Sequence, residues 1–353
     1  MIGDRGGETM KIGLTYDLRN DYLAEGFSEE AVAELDSEET ISFLEQAIGR
    51  LGYKTERIGN GRALAARLVA GERWELVFNI AEGLSGRCRE SQVPSILELY
   101  GIGYTFSDPL VCALTLDKSF AKRVVRDSGL PTAKFAVIEK AEDLHGGVSL
   151  AYPLFAKPIA EGTGKGIDHK SRVETYEQLV EVCEDLLKRF SQPVLVEEFL
   201  PGREFTVGVL GNGEDAYVPG VMEITIPRDT KAIYSFAVKE EWEKHVKYEP
   251  CREGAIFEEL VDLALRSYKA LQCRDAARVD FRCDGDGVPC FMEINPLPGL
   301  HPTHSDLPMI ATQEGMRYEE LIGQIINNAL KRLKLKNKGA YGEQCSDHPQ
   351  QCG

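Results

Sequence analysis

Ala277-Arg278-Val279-Asp280-Phe281, followed by Asp284-Gly285-Asp286-Gly287 and then by Cys290-Phe291-Met292-Glu293-Ile294-Asn295, decides how this chain is read. Apolar runs flank two Asp-Gly pairs, and Asp-Gly supplies the positive-φ positions of a tight hairpin, so the spacing predicts two antiparallel strands. Alternation places Glu293 and Asn295 on one face of the second strand, and the hairpin brings Asp280 beside them. Two carboxylates and an amide oxygen on one face suit a hard cation. Mg²⁺ is the default, since it binds one or two carboxylates together with substrate phosphates. Taken alone, the same spacing also fits a surface hairpin with solvated acids. Pro296 and Pro298 then carry the chain out of the sheet, so that Gly299 can bring a bare N–H to a reacting group.

Working outward, 353 residues are more than one ordinary core accommodates and predict two or three domains. With 43% hydrophobic and 28% charged residues the composition is that of a globular protein. A net charge of −16 argues against a nucleic-acid partner and against anionic membrane surfaces. No apolar run approaches the roughly 18 residues of a membrane span, and the N-terminus lacks a basic-then-apolar export signal, so a cytoplasmic location is expected. Nine cysteines without a C-x-x-C pair predict reduced thiols, with Cys251 a candidate reactive one.

From residue 11 the pattern alternates strand and helix: strands over 11–16, 54–58 and 75–79, helices over 37–51, 61–70 and from Val93 to Gly101. That alternation predicts a parallel sheet, with ligands beyond the carboxyl ends of its strands. A helix over 116–127 carries Lys118 in its first turn, where the helix dipole disfavours a cation; an anionic ligand accounts for it, as does an ordinary solvated lysine. The apolar strand Tyr152-Pro153-Leu154-Phe155-Ala156 ends on Lys157 and feeds Glu161-Gly162-Thr163-Gly164-Lys165-Gly166. Bare N–H groups and lysines there resemble a phosphate cradle, a plain hairpin turn being the alternative. The strand Val194-Leu195-Val196 breaks into Glu197 and Glu198, then Phe199, Leu200 and a Pro201-Gly202 turn that reads as an interdomain hinge. A nucleotide there could pair its base with strand backbone and its ribose with Glu204; an exposed acid beside a turn is the other reading. Residues 224–250 are turn-rich and poorly periodic, which predicts a lid that brings Lys247 and Tyr248 onto phosphates. Helices over 253–272 and 318–335 are expected to pack the last domain.

In this order the segments resemble the ATP-grasp superfamily, and within it the D-alanine:D-alanine ligase family, over residues 77–335. The passages that carry the resemblance are Phe78-Asn79 with Gly83, Leu116-Asp117-Lys118 with Lys122, Ala156-Lys157-Pro158 with Glu161-Gly162, Val196-Glu197 with Glu204-Phe205-Thr206-Val207, Val246-Lys247-Tyr248, and Arg278-Val279-Asp280 through Glu293-Ile294-Asn295 with Pro298-Gly299. The resemblance implies an α/β, three-domain ATP-grasp fold: a parallel-sheet domain over 10–108, two α+β domains over 109–200 and 201–335 that sandwich ATP, and a polar tail over 336–353. It implies that Lys118, Lys157 and the loop Glu161, Gly162, Thr163 and Gly164 hold ATP phosphates. Glu197 and the backbone of Glu198, Phe199 and Leu200 would hold adenine, Glu204 the ribose, and Lys247 the γ-phosphate. Asp280, Glu293 and Asn295 would hold two Mg²⁺, with Mn²⁺ an alternative. Arg278 and the Gly299 N–H would form the oxyanion site beside Tyr248, and Ser305, next to His304, would bind the second substrate's carboxylate. The implied activity is ATP-dependent ligation of two small amino acids through an acyl phosphate, as in peptidoglycan synthesis, with a homodimer left open.

The chain departs from the family where the first substrate would sit. The N-terminal strand leads into Thr15-Tyr16-Asp17-Leu18-Arg19 in place of a Gly-Gly-x-Ser loop, and the family's His-Gly is Glu82-Gly83. Glu82 or the acids of 36–39 are candidates for the substrate ammonium, and equally for surface acids. Two further readings therefore stand beside D-alanine ligation: a ligase for another amino acid or peptide, and an ATP-binding protein without turnover.

Overall fold

The computed structural model describes residues 9–225 and 246–335. The first sheet is parallel, in the order β2 (Lys54–Gly59), β1 (Lys11–Thr15), β3 (Leu76–Asn79). Around it lie α1 (Arg19–Ala24), α2 (Glu38–Arg50), α3 (Gly61–Val69) and α4 (Gln92–Leu99). Ser37 accepts the Thr40 N–H and starts α2, whose Ile41, Leu44 and Ile48 recur at helical spacing and are fully buried. Each such side chain contributes roughly 1.5–3 kcal/mol through the area it removes from water.

The helix expected over 116–127 is α6 (Lys118–Asp127), and a separate helix that was not expected, α5 (Pro109–Leu116), runs directly into its start. Asp117 breaks the run: it leaves helical geometry (ψ 99°) and its carboxylate accepts the N–H groups of Ser119 and Phe120. A side-chain cap outcompetes helix continuation there. Lys118 is thereby the first residue of α6, and its backbone N–H reaches Ile159 O, 3.1 Å away.

The second sheet is antiparallel, β4 (Phe135–Ile138), β7 (Val194–Glu198), β5 (Leu154–Pro158) and β6 (Arg172–Val173), covered by α7 (Tyr176–Phe190). The third runs β10 (Lys247–Cys251), β9 (Val221–Thr225), β8 (Glu204–Leu210), β11 (Ala276–Cys283), β12 (Pro289–Asn295), with α8 (Ala255–Ala270) against it. The mixed α/β architecture is thus the expected one.

Four local expectations are corrected. The loop joining β11 to β12 spans 284–288, and of its two glycines only Gly287 has positive φ, because the Asp284 carboxylate holds the turn by accepting the Asp286 and Val288 N–H groups. The segment expected to be irregular over 224–250 ends in paired strands, Lys247 opposite Thr225 and Tyr248 opposite Ile224; the lid itself falls on 226–245, outside the described residues. Cys251 lies on β10, where burial pushes its thiol pKa up and so works against a thiolate. The last helix, α10 (Tyr318–Leu333), lays Leu321, Ile322, Ile325 and Ile326 against the apolar face of α2 and the first sheet. Between β12 and α10 stands a further helix, α9 (Asp306–Gln313), in a stretch whose two prolines and short apolar run concealed it.

Candidate active site

Because side chains alternate along a strand, the β11–β12 pairing fixes which groups meet. Asp280 lies directly opposite Glu293, and Arg278 opposite Asn295. The Arg278 guanidinium forks onto Asp280, with Nε 3.1 Å from Oδ1 and Nη2 2.9 Å from Oδ2. Thr206 Oγ1 of β8 donates to Asp280 Oδ1 at 2.7 Å, and Asn295 Nδ2 lies 3.4 Å from Oδ2. The Arg278, Asp280 and Glu293 side chains are more than three-quarters covered, with enough exposure to meet a ligand.

Lys118 closes the site from the other side. Its Nζ stands 3.3 Å from Glu293 Oε2 and donates to the Glu161 carbonyl at 2.6 Å, so the start of α6, the Gly-rich loop and β12 converge on one ammonium group. In that loop Thr163 (φ 47°) and Gly164 (φ 74°) are left-handed, which turns successive N–H groups to one side. Burial alone would raise the Glu293 pKa, but Lys118, Lys157 and Arg278 outweigh it and bring it down to about 2. Asp280 moves the other way, raised by burial and by facing Glu293 against the pull of Arg278. The two facing carboxylates are thus shifted in opposite directions.

That donor set fits Mg²⁺. Asp280 and Glu293 face each other, Asn295 adds an amide group, and Arg278 and Lys118 now balance charge that a metal would balance. Among the described residues no group of three His, Cys, Asp or Glu gathers as a metal cluster.

Lys157, buried on β5, holds Glu197 Oε1 at 2.9 Å, and Lys122, fully buried on α6, stands 2.9 Å from Oε2. Burial would raise the Glu197 pKa; the two lysines bring it down to about 2. Oε2 is fully enclosed against the Lys122 ammonium group. Lys122 also donates to Thr132 Oγ1 at 2.8 Å and to the Phe291 carbonyl at 3.3 Å, and so ties β7 to the metal-side strand β12. Lys122 is among the residues that carry the resemblance, which implies no separate role for it. Glu198 and Phe199 spend their backbone N–H groups on Lys134 and Pro153, leaving Leu200 at the start of the hinge. Glu204 pairs with Arg282 at 3.3 Å, and burial raises its pKa.

The acyl side is less uniform. A Cβ on Gly299 would stand 2.8 Å from Ser305 Oγ, which shows how closely the backbone approaches there. Ser305 Oγ accepts the His301 N–H at 3.0 Å, and the exposed His304 ring stacks on His301 with centroids 4.5 Å apart. Arg278 Nη1 meets Asp306 at 2.9 Å. Lys247 is exposed on β10, and the Tyr248 carbonyl accepts from Gln313 at 3.1 Å.

Beyond β1 and β3, acidic and basic side chains are interleaved. Gly83 (φ 68°) gives its N–H to Asp17, and a Cβ there would meet the Arg89 carbonyl at 2.8 Å. Glu82, next to it, is raised well above the usual carboxylate range by burial and then by Glu34, Glu90 and Asp36. Glu34 accepts from the Gly162 N–H and pairs with Arg89 at 2.9 Å and Lys165 at 3.4 Å, which locks the first sheet's loops onto the Gly-rich loop. Sequence reading missed Glu34 because its segment has no period. Burial, with Asp17 beside it, pushes the Asp36 pKa up to about 7 against the pull of Arg19. Between the unfolded pKa near about 3.9 and that value only the folded chain holds this proton, so its stabilising contribution is lost as pH rises toward 7. We expect the melting free energy to fall across pH 5 to 7 by up to about 1.4 kcal/mol per pH unit from this group. Asp36→Asn should remove that part of the slope in a pH series of thermal melts, and an unchanged slope would refute the assignment.

The family model described as D-ala D-ala ligase C-terminus matches residues 124–327. A D-alanine–D-alanine ligase of Bordetella petrii is 34% identical over 286 residues, covering 80% of this chain and 84% of its own. One of Aquifex aeolicus is 33% identical over 282 residues, covering 80% and 91%. The crystal structure of D-alanine–D-alanine ligase from Bacillus anthracis complexed with ATP superposes with a TM-score of 0.70 at 23% identity, covering 92% of this chain and 99% of that one, a likeness of fold.

Proposed function

Because the chain belongs to the D-alanine–D-alanine ligase family, we propose that it joins two amino acids through an ATP-driven peptide bond, with D-alanine the first candidate on either side. The observation that carries this reading is Lys118, whose single ammonium group draws together the Gly-rich loop at Glu161 and the carboxylate face at Glu293. A triphosphate that lies along Lys157, the N–H groups of 162–164 and Lys118 ends its γ-phosphoryl group beside Asp280 and Glu293.

The first amino acid's carboxylate attacks the γ-phosphorus, the bond to the bridging oxygen breaks, and ADP leaves an acyl phosphate. The second substrate's amine then attacks the acyl carbon; the C–N bond forms, the C–O bond to phosphate breaks, and the amine proton passes to solvent. Mg²⁺ held by Asp280, Glu293 and Asn295 would neutralise charge on the transferring group. Lys118 and Lys157 hold the phosphates, and the adenine lies at the end of β7 beside Glu197 and Leu200. Arg278 and the Gly299 N–H receive the oxyanion that develops in the second step.

Glu82 and Asp36 are the candidates for the first substrate's ammonium group, and the chain's departures from the family there keep a first substrate other than D-alanine open. ADP release measured against paired D- and L-amino acids tests the reading. D-alanine alone should support turnover; turnover confined to another pair would move the substrate, and none with any pair would remove the ligase.

A further inference from the structure

Arg278 is held on both edges, by carboxylates from two different elements. The Nε/Nη2 edge forks onto Asp280, while Nη1 meets Asp306 Oδ2 at 2.9 Å, from the first residue of α9. The two anchors differ in what else they must do. A carboxylate offers about four lone-pair sites, and those of Asp280 face Arg278 Nε and Nη2, Thr206 Oγ1 and Asn295 Nδ2. A cation can reach Asp280 only by taking a lone pair from one of these donors. If Arg278 yields, its guanidinium loses the fork that keeps it in plane. Asp306 stands on the far edge of the guanidinium, and its only described ion pair is with Arg278.

We propose, resting on the ligase reading above, that Asp306 is a positioning residue: it keeps Arg278 in place while Asp280 turns from the guanidinium to the metal. The Nε and Nη2 donors are then free, and still aimed, for the oxyanion. An acid in the first turn of α9 would also suit the helix dipole, and an added negative charge near the site would attract a cation from any position. Neither of those alternatives acts through Arg278.

The test is a double-mutant cycle on the full chain with Mn²⁺ as probe, its binding followed by electron paramagnetic resonance in the presence of a non-hydrolysable ATP analogue. Asp306→Asn should weaken Mn²⁺ binding about threefold or more in the wild-type background and leave it unchanged in Arg278→Met, since without the guanidinium there is nothing for Asp306 to hold. An equal effect in both backgrounds, or none in either, overturns the proposal. In turnover, Asp306→Asn should lower kcat roughly tenfold with the KM for ATP within about twofold, the pattern of an interaction made in the transition state, and Asp306→Glu should restore most of the loss. A lower melting temperature with wild-type kcat would leave only the helix-dipole role. Absence of turnover in the wild-type chain would sink the ligase reading, whereas the Mn²⁺ cycle, which needs no turnover, would still decide the role of Asp306.

Discussion

Glu293→Gln lowers ADP formation by on the order of a thousandfold or more while the chain still folds. The carboxylate lies 3.3 Å from Lys118 and faces Asp280 across the hairpin, and it is ionised at any working pH. Glutamine keeps the shape and removes the charge, so Lys118, Lys157 and Arg278 lose their common counter-ion and a divalent cation loses one of its two carboxylates. Initial rates at saturating ATP, together with a thermal melt to establish folding, measure the effect. Near-wild-type rates would show that Glu293 is one more ion-paired acid on a strand.

Arg278→Ala should cost about 10²–10³ in kcat, or roughly 3–4 kcal/mol, the range seen when a single oxyanion donor is removed. The loss falls on kcat, because the developing oxyanion exists only in the transition state. Arg278→Lys should recover little, since an ammonium group cannot fork onto Asp280 while it reaches Asp306. A loss of twofold in either variant would take Arg278 out of the chemistry.

How much of the fold and of the site is legible in the sequence follows from the range over which each signal acts. The hairpin and its Asp280–Glu293 pair are legible because a period of two and a turn together determine which side chains face each other. The parallel sheet is legible for the same reason, each strand and helix announcing itself within about fifteen residues. Contacts between segments are not. Lys122 acquires its partners only when α6 is laid against β7 and β12, and Glu34 becomes a tie between the first sheet and the Gly-rich loop only once 128 residues of chain return it to Gly162. The break between α5 and α6 is visible in Asp117 itself, a capping residue read as a helix interior. The resemblance points Glu197 to adenine, and the two lysines on its oxygens add that its charge is needed to bury them.

The central claim is that this site moves a phosphoryl group onto a carboxylate before the amide forms. The direct measurement supplies D-alanine carrying ¹⁸O in both carboxylate positions, with unlabelled ATP and water, and follows the label by mass spectrometry. One ¹⁸O should leave in each phosphate released and one should remain in the new amide. Phosphate without label, with both ¹⁸O atoms retained in the amino acid, would contradict the account.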